Sequence, residues 1–149
     1  MRKKAQRDMF RKIAELRQLQ LASAEALAER AQSALRRERE ALDRRQSELG
    51  EMEAYWHDAV SRPVLMLEII PYWRLAVQRQ GAQLANARTT VNCADLDSRS
   101  AIEALHLAKQ NTKTADESAR TAAGRYLRSL EEGAVHEMAD RYLQQGRKS

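Results

Sequence analysis

Two stretches of the chain carry a seven-residue repeat of apolar positions, and a short proline-bracketed segment separates them. In the first stretch, positions 14, 21, 28, 35, 42, 49 and 56 read Ala, Leu, Ala, Leu, Leu, Leu and Trp. The companion line, three residues on, holds Ala24, Ala31 and Met52, but also Arg17, Glu38 and Arg45. In the second stretch, positions 84, 91, 98, 105, 112, 119 and 126 read Leu, Val, Ser, Leu, Thr, Ala and Tyr, and positions 87, 94, 101, 108, 115 and 122 are all alanine. A sustained seven-residue repeat keeps one stripe of a helix against a partner and winds the pair left-handed. Neither stripe can be buried on its own helix. The pattern therefore predicts an all-α fold, a long antiparallel two-helix coiled-coil hairpin formed as a single unit over residues 1–149. The first helix is expected over about 3–60, the bend over about 61–72 and the second helix over about 73–143.

The bend falls between Pro63 and Pro71, because each proline lacks a backbone N–H and restricts the residue before it. Ser61 is placed to cap a short turn there. A bend centred near Met66 sets Leu49 near Leu84, Leu42 near Val91, Ala28 near Leu105 and Leu21 near Thr112, so large residues often face small ones. The result is expected to be a rod with both termini at one end. Asp95, Asp97 and Ser98 are weaker helix formers that could nick the second helix, Gly124 and Gly133 weaken its last turns, and residues 144–149 are expected to fray. A bundle of three or four helices, broken near Gly50, Gly81 and Thr112, is the rival arrangement.

Composition narrows the picture without changing it. Of 149 residues, 43% are hydrophobic and only 5% aromatic, which speaks for thin helical packing rather than a thick core. Two prolines, five glycines and one cysteine exclude collagen-like and disulfide-rich scaffolds. Cys93 has no partner for an intrachain disulfide, which fits a reducing cytosol. Its neighbours Asp95 and Asp97 disfavour a thiolate, so it reads as a small packing residue rather than a nucleophile. The longest apolar stretch is too short to span a bilayer, and no apolar run follows the basic start, so a cytoplasmic protein without membrane insertion is expected.

Charge distinguishes one end. The formal net charge is +5, yet residues 1–45 alone hold 13 basic and 7 acidic side chains. Arg2, Lys3, Lys4, Arg7, Arg11 and Lys12 are opposed locally only by Asp8. A basic end attracts acidic proteins, nucleic acid or anionic membrane. Arg120, Arg125 and Arg128 return to the same end, where Glu131, Glu132, Glu137 and Asp140 partly offset them. The other end is aromatic. Tyr55, Trp56, Tyr72 and Trp73, four of seven aromatics, flank the bend, with Met66 and five more aliphatic residues between them. Such a cluster closes a small core, exposes an anchor surface for a partner, or does both with different side chains.

Enzyme chemistry finds no footing in the sequence. There is no phosphate-binding glycine loop, no dinucleotide fingerprint, no Cys-x-x-Cys pair and no His-Glu-x-x-His motif. His57, His106 and His136 are far apart along a hairpin, so no catalytic residue, metal site or cofactor is assigned. His57 and Asp58 are adjacent and do not face each other on a helix.

A chain of this length with alanine-rich heptads, a basic start and paired termini resembles the central stalk proteins of type III secretion systems, the FliJ-like proteins of flagella and the YscO-like proteins of injectisomes. The resemblance is one of architecture and composition over roughly residues 1–143. It implies a non-enzymatic stalk or adaptor, similar to the coiled coil of a rotary ATPase gamma subunit. Such a stalk links a hexameric secretion ATPase to the cytosolic ring of the export gate, in the cytoplasm at the inner membrane, and some of these stalks also bind substrate chaperones. By position along the hairpin, Arg2, Lys3, Lys4, Arg7 and Arg11 would engage the ATPase. Tyr55, Trp56, Met66, Tyr72 and Trp73 would face the gate or a chaperone. The alternatives are a basic helical accessory protein that binds nucleic acid through phosphate contacts, a small enzyme with an unrecognised site, and a generic helical adaptor.

Overall fold

The computed structural model describes residues 2–61 and 69–148. Two helices account for nearly all of them: α1, Arg2–Val60, and α2, Ile69–Arg147. They pack against each other as an all-α antiparallel hairpin, and no strand occurs among the described residues. The heptad stripes are the packed faces. Every position of the first stripe and its companion line from Ala14 to Trp56 is buried or half-buried, as is every corresponding position from Leu84 to Tyr126. The polar seam residues Arg17, Glu38 and Arg45 are half-buried in that interface, and Ser98 and Thr112 are buried in it.

α2 starts earlier and ends later than the sequence predicts. It begins at Ile69 rather than near residue 73, with Pro71 in its first turn. The first N–H groups of a helix have no intrahelical acceptor, so the proline's missing donor costs nothing there. The helix then runs to Arg147, past the fraying expected from Gln144. The rival bundle and the expected nick do not occur, since helix continues through Gly50, Gly81, Asp95–Ser98 and Thr112. Packing supplies the reason at the weak formers. Ser98 is 4% exposed in the seam, and Asp95 meets Arg39 of α1 at 3.6 Å and Arg99 of its own helix at 3.1 Å. Tertiary contacts of this kind override a few tenths of a kcal/mol of propensity. At the end of α1, the Ser61 hydroxyl donates back to the His57 carbonyl at 2.9 Å, so it closes α1 from behind.

The hairpin divides into two packed units: a terminal unit of Met1–Glu25 with Ala104–Ser149, and a bend unit of Ala26–Glu103. In the terminal unit, Ala14, Ala115, Ala122 and Thr112 are buried. The Thr112 hydroxyl crosses the interface and donates to the Arg17 carbonyl at 3.2 Å, while Gln18 reaches Asp116 at 3.4 Å. In the bend unit, Ala28, Leu35, Leu84 and Ser98 are buried, and Arg45 donates to the Gln83 side-chain carbonyl at 2.8 Å. These cross-helix pairs set the antiparallel register that the sequence predicts, with Leu21 and Thr112 lining one groove.

The glycines offer a stability test. None has a positive φ, and a Cβ at Gly81 or Gly124 would meet nothing within 4 Å. Gly81→Ala and Gly124→Ala are each expected to raise stability by about 0.5–1 kcal/mol, because alanine loses less backbone entropy in a helix. Urea denaturation followed by far-ultraviolet circular dichroism measures the gain.

Candidate interaction surfaces

The basic start lies on the first turns of α1. Arg2, Lys3, Lys4, Arg11 and Lys12 are exposed. No acidic residue occupies the first turn of α1, so three cations stand at the positive end of the helix dipole, where they are disfavoured. Arg11 makes only a long exposed contact with Glu15, at 3.9 Å. Arg7 is different. It is half-buried, its guanidinium lies 4.2 Å from the centre of the Tyr126 ring, and its Nε and Nη2 donate to Asp8 Oδ1 at 3.1 and 2.9 Å. Arg7 therefore ties α1 to α2 through the cation–π contact, and its charge is already shared within the unit.

That clasp has a pH signature. The hydrogen bond from Arg7 holds the Asp8 carboxyl below its usual range; burial opposes this, and the charges of Arg7, Arg11 and Lys4 add to it. A carboxyl with a lowered folded pKa contributes stability above its unfolded pKa, and that contribution is lost as pH falls through the folded value. Asp8→Asn is therefore expected to flatten the acid side of the melting-temperature profile, below about pH 4, and to leave the neutral side's slope unchanged. Thermal melts at a series of acid pH values read this directly.

The bend aromatics split by role. Trp56 and Trp73 are half-buried and stack face to face, with ring centres 4.9 Å apart and planes 11° apart. Their neighbours Tyr55 and Tyr72 point outward, 71% and 76% exposed. Val60, Ile69 and Leu75 are also exposed near them. The stacked pair packs between the helices, and the two tyrosines face solvent. Met66 lies outside the described residues.

Cys93 is exposed, not a packed residue as its sequence context suggests. It occupies an outward position between the seam residues Val91 and Ala94. His57, His106 and His136 are exposed, and no three His, Cys, Asp or Glu side chains among the described residues lie close enough to hold a metal. No helix among those residues is long and apolar enough to cross a membrane. One groove along the helix pair is lined by Gln6 and Phe10 of α1 and by Thr114, Ser118 and Ala122 of α2, and a second by Leu21 with Lys109, Lys113, Asp116 and Arg120.

Two surfaces escape the heptad reading. Met9, Ile13 and Leu16 form an exposed line on α1, offset from the seam. Beyond Tyr126 the seam positions of α2 become Ser129, Gly133, His136 and Asp140, and every residue from 130 to 148 is exposed. Of the exposed apolar residues there, Leu127, Leu130, Met138 and Tyr142 share a face away from the seam, while Val135 and Leu143 lie outside it. That change of face is the signal in the sequence by which the surface could have been found.

The fold defines the molecule as an all-α helical hairpin. No family model matches the chain, and neither a curated protein nor a solved structure matches it significantly.

Proposed function

We propose that this protein is a non-enzymatic stalk or adaptor of a type III secretion system. It joins the hexameric secretion ATPase to the cytosolic ring of the export gate, docks substrate chaperones, and works in the cytoplasm at the inner membrane. The observation that carries the reading is chemical contrast between the two units. The terminal unit displays a cluster of exposed cations that the helix dipole disfavours, and the bend unit displays tyrosines beside a closed tryptophan pair. Surface features retained against local stability are features a partner uses. The antiparallel coiled coil and the alanine seam further support likeness to FliJ-like and YscO-like stalks. The basic start, through Arg2, Lys3, Lys4 and Arg11, binds acidic surface on the ATPase, and Arg7 holds the helices that present it. Tyr55 and Tyr72 anchor the gate or a chaperone, with Trp56 and Trp73 positioning them.

The test is co-sedimentation with a secretion ATPase hexamer, together with its ATP turnover. Reversing Arg2, Lys3, Lys4 and Arg11 to glutamate is expected to weaken binding by about tenfold or more at physiological salt. Tyr55→Ala with Tyr72→Ala is expected to leave ATPase binding intact and to reduce capture of the gate ring. Unchanged ATPase binding by the charge-reversed chain sinks the reading. Tight, steeply salt-dependent retention of nucleic acid by the same basic residues would favour the accessory-protein alternative.

A further inference from the structure

We propose that the end of α2, over residues 127–142, is a self-association surface on which a second copy of this chain lays the same segment antiparallel. The inference goes beyond the stalk reading and stands independently of it.

Residues 130–148 are helical to Arg147, and all are exposed. Within them the side chains are not those of a solvated helix. Leu130, Met138 and Tyr142 are 52%, 70% and 78% exposed, and Leu127 just before them is 58% exposed. At 100° per residue, Leu127, Leu130, Ala134, Met138 and Tyr142 fall within an arc of about 120°, a width suited to covering by one further helix. The hairpin's own seam does not use this arc, since its continuation passes through Gly133, His136 and Asp140. The face is therefore apolar, periodic and unpartnered.

Its charges say what covers it. Glu131 and Arg141 both lie within the apolar arc, about 40° to either side of its centre. Antiparallel overlap of two copies centred on His136 sets Glu131 of each copy level with Arg141 of the other. The same register sets Leu130 level with Tyr142 and Ala134 level with Met138, where a small side chain meets a large one, and the arc's one carboxylate meets a guanidinium. A parallel pairing would instead set Glu131 beside Glu131 and Arg141 beside Arg141. The segment is thus complementary to itself about a two-fold axis, which gives a closed dimer rather than an open chain of copies. Glu132 and Asp140 lie on the far side of the helix. Glu137 falls at the rim near the axis and faces its own counterpart, so added salt or Glu137→Gln strengthens the pairing.

Sedimentation velocity of the full chain over a range of micromolar concentrations tests this. Wild type is expected to pass from monomer to dimer. Met138→Glu, at an exposed position that leaves the hairpin's melt unchanged, is expected to weaken the dimer by roughly tenfold or more. Arg141→Glu is expected to weaken it, and the exchange Glu131→Arg with Arg141→Glu to restore it. Direction is read by crosslinking in a Cys93→Ser background. Copies carrying Ala134→Cys are expected to join copies carrying Met138→Cys on oxidation, in preference to joining one another. A monomer at all concentrations, a dimer indifferent to Met138→Glu, failure of the charge exchange to restore pairing, or preferential joining of Ala134→Cys copies to one another would each overturn the proposal. So would occupation of the segment by a different protein that the wild-type chain prefers over its own copy.

Discussion

Replacing Leu35 with aspartate is expected to lower the thermal midpoint of the bend unit by roughly 10 °C or more. Leu35 is 8% exposed, one of two buried leucines among the described residues. Register places it level with Ser98, a small residue that is itself 4% exposed, so the leucine fills the space the serine leaves. Loss of its burial together with insertion of a carboxylate into the seam costs about 3 kcal/mol or more. The control is on the same helix. Leu27 is 56% exposed, and Leu27→Asp is expected to change stability by no more than about 0.5 kcal/mol. Circular dichroism melts of the two variants side by side make the comparison. Equal midpoints would refute the antiparallel seam itself, because the heptad assigns one leucine to the interface and the other to solvent.

The second large effect is expected at the tryptophan pair. Trp56→Ala removes a half-buried ring and its stacking partner's contact, and is expected to cost about 2–3 kcal/mol; Trp73→Ala should cost a similar amount. The double variant is expected to cost about 1 kcal/mol less than the sum, since stacked rings contribute about that much beyond their buried area. Urea denaturation of the four proteins yields this coupling. A coupling of zero would mean that the rings are merely neighbours. Tyr55→Ala and Tyr72→Ala, at positions that point outward, should leave the midpoint nearly unchanged.

Much of the fold is legible in the residue pattern because the interface is built from one kind of information. A stripe repeating every seven residues selects the face, and two such stripes select each other. Positions 14 to 56 and 84 to 126 pack as the repeat predicts, down to the half-burial of Arg17, Glu38 and Arg45. The discrepancies arise where local propensity and packing disagree. Asp95 and Ser98 read as weak helix formers, but one finds Arg39 across the interface and the other is enclosed by it. Pro71 reads as a boundary, although a proline is compatible with a first turn.

The surfaces were less legible. Charge counts found the basic start, but they treat Arg7 as equal to Lys3 and Lys4, and only the fold sets its guanidinium over Tyr126. Composition found the bend aromatics without separating stacked tryptophans from outward tyrosines, because Tyr55 and Trp56 are neighbours in sequence and differ only in the direction they point. The apolar face at the end of α2 is hidden from the heptad for a third reason. The heptad positions turn polar after Tyr126, and the apolar residues beyond it lie at a different helical phase. For Cys93, residue size suggests packing, whereas helical phase places it outside.

The tryptophan stack also makes the chain its own optical gauge. Both indoles of the protein are in one face-to-face pair in the bend unit, so intrinsic emission originates from a single locality. A ligand that settles on Tyr55 or Tyr72 would shift that glow without any label, whereas one that grips Arg2 or Lys3 would leave it dark to the event. A shift in the wavelength of the light therefore reports occupation of the bend unit.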